Sequence, residues 1–261
     1  RYPARAERVI ISMNLDRIIA VRNNKTVFRD GDRVIKVFDN DFTKADILNE
    51  ALNQALVEET GLHIPAILEV SMIDGRWAIV SEYIKGKNLA QLIADDSEKW
   101  LDVMAALHCE VASKSVPTLP KLNDKLHRKI CASLLPATAR YDIHNRLDAM
   151  PKRPALCHGD FNPSNITVAP DGTPYILDWS HASYGDPAAD AAMTCLMFMC
   201  DGQNETAGKY LALYCKKSGT DAEYIKSWFP IMAAAASVSG MPEKREFYNR
   251  IATELEPDVE K

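Results

Sequence analysis

The feature that most constrains the fold is a change of pattern near Gly86. Before it, short alternating stretches separated by turn residues dominate; after it, apolar residues recur at helical spacing. In "KTVFRDGDRVIKVF" polar and apolar residues alternate on either side of Asp30-Gly31-Asp32, which predicts a hairpin. "TKADILNEALNQALVEETG" follows as a helix, with Thr43 as N-cap, Gly61 as stop, and Leu48, Ala51, Leu52 and Ala55 as its apolar stripe. "AILEVSMI" and "RWAIVSEYI" read as two strands joined by a turn at Asp74-Gly75. Beyond Gly86, "NLAQLIADD" and "SEKWLDVMAALHCEVASKS" are helical, with Trp100, Leu101, Met104, Leu107, His108 and Val111 in register. Prolines from Pro117 to Pro154 punctuate the middle, and from about Asp186 the chain reads mostly as helix. A sheet-rich domain over residues 1–85 and a larger helical domain over 86–261 are expected, joined near Ile84 to Asn88.

Composition narrows the function classes. With 261 residues and 47% hydrophobic content the chain can bury full cores. A net charge of −5, with no basic run, argues against nucleic-acid binding as its main business. The six cysteines form no C-x-x-C pair, so reduced core thiols are expected rather than a metal site or disulfide framework. The longest apolar stretch, Ala191 to Cys200, is about half a membrane span, and "RYPARAERVI" lacks the apolar region of a signal peptide. A soluble cytoplasmic protein without membrane partners is the expectation.

The chemistry-bearing stretch is "CHGDFNPSNI". It places Asp160 two residues after His158 and Asn165 five residues further on; a glycine and a proline make it poor material for a regular element. Thirteen residues past Asn165, the apolar run "YILDWS" carries Asp178 at its end. Two carboxylates about 4 Å apart repel by several kcal/mol at an effective dielectric near 20, so gathering Asp160 and Asp178 would need a reason. A divalent cation supplies one, and asparagine with carboxylate is hard-oxygen chemistry suited to Mg²⁺.

His158-Gly159-Asp160, Asn165 and Ile176-Leu177-Asp178-Trp179 closely resemble the active-site signature of the aminoglycoside phosphotransferase and choline kinase superfamily. That resemblance implies an α+β, protein-kinase-like two-lobed fold: a small antiparallel-sheet lobe with one main helix, which binds nucleotide, and a larger helical lobe bearing the catalytic loop and acceptor site. It implies that Asp160 orients or deprotonates the acceptor hydroxyl, while Asn165 and Asp178 hold Mg²⁺ on the phosphates of ATP or GTP. His158 would brace the loop. Further matches extend along the chain. Lys36 in Val34-Ile35-Lys36 resembles the phosphate-binding lysine and Glu50 its helix partner. "IVSEYIKGKNL" resembles the hinge, where the Ser81 carbonyl and the Tyr83 N–H would meet the adenine edge. "AALHC" resembles a Leu-His signature of the helical lobe, and Gly185-Asp186-Pro187 with Asp190 resembles the segment after the metal aspartate, whose aspartates brace the catalytic loop. One departure is the turn Arg22-Asn23-Asn24-Lys25-Thr26, which has no glycine where such folds often cover the phosphates.

Taken singly, each of these residues has a plainer reading. Asp160 and Asn165 alone are turn formers as readily as catalytic groups, and Asp178 alone could cap a strand. Lys36 and Glu50 alone read as solvated surface residues, and Glu50 lies opposite the Leu48 stripe, on the side of Ile47 and Val57. Their joint occurrence in order favours Mg²⁺-dependent transfer of a nucleotide phosphoryl group to a hydroxyl of a small molecule. Two rivals use the same fold: a nucleotide-binding pseudokinase acting as sensor or scaffold, and a protein kinase. The acids Glu243, Glu246, Glu254, Glu256, Asp258 and Glu260, if near the cleft, would favour a cationic acceptor such as an aminoglycoside or choline-like amino alcohol. Interleaved Lys244, Arg245 and Arg250 equally suit a solvated helix.

Overall fold

The computed structural model describes residues 17–22, 25–238 and 241–253. It divides into two compact units, residues 1–51 with 65–84, and residues 52–64 with 85–261. The division falls inside the first helix, so that Val57, Leu62 and Ile64 belong to the core of the second unit.

The first unit is a five-stranded antiparallel sheet with one helix. Its elements are β1 (Arg17–Arg22), β2 (Lys25–Asp30), β3 (Arg33–Phe38), α1 (Lys44–Glu58), β4 (Ile67–Ile73) and β5 (Arg76–Glu82), with strand order β1-β2-β3-β5-β4. The expected hairpins form at Asp30-Gly31-Asp32 and Asp74-Gly75; Gly31, Asp74 and Gly75 all take positive φ there. Thr43 opens α1 through a reciprocal cap. Its hydroxyl accepts the Asp46 N–H at 3.2 Å, and Asp46 Oδ2 accepts the Thr43 N–H at 2.8 Å.

The period of two in β3 sends Ile35 and Val37 to one face of the sheet, with Phe28, Ala78 and Val80. Lys36 therefore lies on the other face, where Phe38 and Ile79 pack with Ile47 and Ala51 of α1. The expected stripe on α1 holds only at Ala51: Leu48 and Leu52 are 44% and 54% exposed, Ala55 is exposed, and Ile47 and Val57 are buried beside Ala51 instead. This helix carries apolar residues on most of its circumference, and the sheet, not their count, selects the buried side. That side includes Glu50, three residues after Ile47.

The second unit is mostly helical: β6 (Lys87–Asn88), α2 (Leu89–Asp95), α3 (Ser97–Ala112), α4 (Leu122–Ala132), α5 (Ala137–Ala149), β7 (Ala155–Cys157), β8 (Ile166–Val168), β9 (Pro174–Ile176), β10 (Ser183–Gly185), α6 (Pro187–Cys200), α7 (Asn204–Ser218), α8 (Ala222–Ser227), α9 (Phe229–Ala236) and α10 (Pro242–Thr253). Its short strands form two small antiparallel sheets, β6-β8-β9 and β10-β7, which carry the loops after β7 and β9. α6 packs on α7 and α9, and α4 on α9, around the buried Trp179, Tyr210, Tyr214 and Trp228. Asp186 caps α6, accepting the Ala188 N–H at 2.9 Å and the Tyr224 hydroxyl at 2.6 Å. All six cysteines are free thiols. No helix among the described residues is long and apolar enough to cross a membrane.

Candidate active site

The β8–β9 hairpin sets the geometry. Ile166 pairs with Ile176, so Asn165 just before β8 and Asp178 just after β9 emerge at the same end. The Leu177 N–H donates to the Asn165 carbonyl at 2.8 Å and closes that end. Asp178 then turns into the left-handed region, φ +59°, a conformation that costs a non-glycine residue of order 1 kcal/mol.

Asn165 also reaches back along its own loop. Its Nδ2 donates to the Asp160 carbonyl and to Asp160 Oδ2, both at 2.9 Å. Asn162, which the sequence did not single out, donates from Nδ2 to the same carbonyl at 3.1 Å and to Oδ1 at 3.0 Å. Each carboxylate oxygen of Asp160 is thus held by one amide, and acceptors on both sides fix the orientation of both amides. Burial raises the pKa of Asp160, and the like charge of Asp178 adds to it; His158 and the two amides oppose the rise.

The rest of the loop hangs on α6. Asp190 Oδ2 accepts the His158 N–H at 2.6 Å, and Oδ1 accepts the Gly159 N–H at 2.8 Å. One turn on, the Thr194 hydroxyl donates to the Phe161 carbonyl at 2.7 Å. His108 of α3 approaches Asp190 Oδ2 through Nε2 at 3.1 Å, and its Nδ1 lies 2.5 Å from the Tyr210 hydroxyl. Burial alone would raise the pKa of Asp190, but His108, His158 and the Gly159 N–H outweigh it, so the carboxylate stays charged. His158 donates from Nε2 to the Leu177 carbonyl at 2.9 Å and accepts the Asp160 N–H on Nδ1 at 3.2 Å. Burial lowers its pKa, so it stays neutral in this bracing role. Gly159, at φ +80°, is required: an added Cβ would sit 2.5 Å from the His181 carbonyl oxygen.

In the first unit the register of β3 and α1 brings Lys36 Nζ to Glu50 Oε1 at 2.5 Å, with only 18% and 12% of the two side chains exposed. For the segment around Ser81 and Tyr83, the Tyr83 N–H already has a partner within the sheet. It donates to the Asp32 carbonyl at 2.9 Å, extending the β3–β5 ladder beyond β5. By the same alternation the backbone of Ser81 faces Val34 in that ladder. An N–H already paired in the sheet is not on offer to an adenine edge, whereas a carbonyl such as that of Ser81 keeps a second lone pair. Asn23 and Asn24 of the glycine-free turn lie outside the described residues.

Asp160 opens onto a cavity of about 220 Å³ in the second unit. The polar groups lining it besides Asp160 are Lys125 and Lys129 of α4, His181 and Ser183. Lys125 donates to the His181 carbonyl at 2.7 Å. Burial, reinforced by the two lysines, pushes His181 down to about 3, so it is neutral. Of the acids expected to favour a cationic acceptor, Glu243 and Glu246 are exposed on α10 and do not line the cavity. Glu254, Glu256, Asp258 and Glu260 lie outside the described residues.

Among curated proteins no sequence matches this chain. Solved structures do match it in fold. Choline kinase LicA from Streptococcus pneumoniae is 16% identical, with 89% of each chain covered and a TM-score of 0.62. A choline/ethanolamine kinase family protein from Mesorhizobium loti is 14% identical, with 93% of this chain and 87% of that one covered and a TM-score of 0.64. Aminoglycoside phosphotransferase APH(2'')-Ib in its ADP-bound form is 19% identical, with 92% and 95% covered and a TM-score of 0.65. These likenesses establish the protein-kinase-like α+β fold. Residues 17–225, most of the chain and all of the loops just described, match the sequence profile of the Phosphotransferase enzyme family, and the chain belongs to that family.

Proposed function

We propose that the protein is a small-molecule kinase, transferring the terminal phosphoryl group of ATP or GTP to a hydroxyl of a small acceptor with Mg²⁺. The observation that carries this reading is the end of the β8–β9 hairpin. There two hard oxygen donors, from Asn165 and Asp178, emerge together, and Asn165 also fixes a half-buried carboxylate, Asp160.

The donor set fits Mg²⁺. Asn165 directs both N–H donors at Asp160, so its Oδ1 is the oxygen left to face a cation. Among the described residues no group of three or more His, Cys, Asp or Glu side chains could hold a metal by itself. Two protein oxygens suit an ion that keeps waters and phosphate oxygens as its other ligands. When bound, the Mg²⁺–nucleotide supplies the phosphoryl group and neutralises charge that builds on it. Lys36, steadied by Glu50, is the lysine of this reading that meets the phosphates.

Asp160 takes the acceptor's hydroxyl proton onto its carboxylate as the acceptor oxygen forms its bond to phosphorus. The bond from phosphorus to the nucleoside diphosphate breaks, and its electron pair stays on the diphosphate oxygen. Asn162 and Asn165 hold the base in place, and its raised pKa makes it a better proton acceptor. The pseudokinase reading drew on Asn23 and Asn24, and nothing among the described residues favours it.

The test is melting temperature. Nucleotide with Mg²⁺ should stabilise the folded protein by mass action, and Asp178→Ala should remove the Mg²⁺-dependent part of that shift. A variant that responds to Mg²⁺–nucleotide as the parent does would overturn the assignment.

A further inference from the structure

The cavity beside Asp160 carries more positive charge than the chemistry of Asp160 needs. Leu122, Lys125, Leu126 and Lys129 form one face of α4, at spacings of three and four, and all four line the cavity. The leucines are buried, and the lysines are half-buried with their stems along the apolar wall. Lys125 has one fixed partner, the His181 carbonyl, and two N–H groups to spare. Lys129 feels the charge of Asp160 but makes no hydrogen bond or ion pair among the described residues. With His181 neutral, two ammonium groups face a single carboxylate.

A second, independent observation concerns Ser183. It lines the same cavity, is wholly buried, and its hydroxyl has no hydrogen-bond partner among the described residues. A buried hydroxyl left unpaired costs stability, and such groups in native proteins call for an explanation. A ligand's acceptor atom at this place would satisfy it. The remaining lining, including Met193, Met232 and Ala235, is apolar and offers nothing to a cationic group. The volume of about 220 Å³ is below the roughly 300–1,000 Å³ of sites for drug-sized ligands, so the occupant is of small-metabolite size.

We propose that the acceptor is a small hydroxylated anion whose carboxylate or phosphate seats against Lys125, Lys129 and the Ser183 hydroxyl while its hydroxyl reaches Asp160. The inference rests on the kinase reading above and specifies its substrate class. Lysine ammonium groups attract either anion as point charges, whereas a choline-like or polyamino acceptor would meet like charge there.

The experiment uses the full chain and four probes of similar size and different charge: glycerol 3-phosphate, D-glycerate, glycerol and choline. Binding is measured calorimetrically without nucleotide, at low and at moderate salt. At least one of the two anions should bind tenfold or more tightly than glycerol and choline, more so at low salt; which anion wins tells phosphate from carboxylate. Lys129→Met should bring that preference to threefold or less with the melting temperature kept. Lys125→Met should do the same, and if losing the His181 contact unfolds that variant, Lys129→Met decides alone. Choline or glycerol binding as tightly as both anions, or an anion preference that survives Lys129→Met, overturns the proposal. The Mg²⁺–nucleotide melting shift of the parent is recorded alongside. If it is present and the anion preference absent, the acceptor inference fails and the kinase reading stands. If it is absent, the kinase reading fails and takes the acceptor assignment with it.

Discussion

The cavity beside Asp160 has two walls built on opposite principles. The loop that follows β7 is over-determined: the backbone N–H groups of His158 and Gly159, the Phe161 carbonyl and both oxygens of Asp160 each have a fixed partner. The α4 wall is held by its leucines, and its lysines make one hydrogen bond between them among the described residues. Preorganised groups lower a barrier because nothing has to reorganise during reaction. Recognition groups on a helix surface are free of such obligations, and they can change without disturbing the chemistry. On the proposed reading, the contrast separates the groups that would transfer the phosphoryl group from those that would select the acceptor.

The largest effect is expected at Asp190. Asp190→Ala would leave the N–H groups of His158 and Gly159 and the ring of His108 without their partner in a buried site. At about 1–3 kcal/mol per unsatisfied group, a loss of roughly 3 kcal/mol or more in urea denaturation is expected. A loss under about 1 kcal/mol would show that the loop is not held as described. Gly159→Ala attacks the same wall through its backbone, combining positive φ with a clash at the His181 carbonyl. It should cost about 2 kcal/mol by the same assay, and an unchanged midpoint would contradict the tight packing.

On the other wall the effects should be on recognition. Burial, with the charges of Lys129 and Arg128 on its own helix and against the opposing Asp190 of α6 and Cys157 of β7, brings Lys125 down to about 8. A lysine is charged below its pKa, so kcat/KM for an anionic acceptor should fall as pH rises through about 8. A neutral acceptor should show no such limb, and equal profiles for both would remove Lys125 from recognition. The smallest effect is expected for Lys129→Met, which breaks no hydrogen bond among the described residues. Its stability should lie within about 0.5 kcal/mol of the parent in urea, and a much larger loss would make Lys129 a structural residue.

These walls also differ in how far the sequence announces them. Asn165 and Asp178 stand out in the sequence because the β8–β9 hairpin brings the residues just outside its two strands to one end, and Asp160 lies five residues before Asn165 in the same loop. The hairpin turns and the Thr43 cap were legible for the same local reason. Lys125 and Lys129 were not: two lysines at i and i+4 on an amphipathic helix read as solvated until α9 and the loop close over them. Asn162 was hidden as an ordinary turn former. Leu48 and Leu52 misled because helix periodicity counts apolar residues without knowing which side the sheet will take. Tyr83 misled because a resemblance places a segment but not the strand register that engages its N–H.

On the proposed reading Asp160 acts on the acceptor, while other residues hold the nucleotide. The most direct measurement is turnover and nucleotide affinity of Asp160→Asn side by side with the parent, using any acceptor the parent phosphorylates. The amide keeps the size of the carboxylate but cannot take a proton, so nucleotide affinity and melting temperature should hold while turnover falls by at least about 10²-fold. Turnover within a few-fold of the parent, with the nucleotide still bound, would contradict the account.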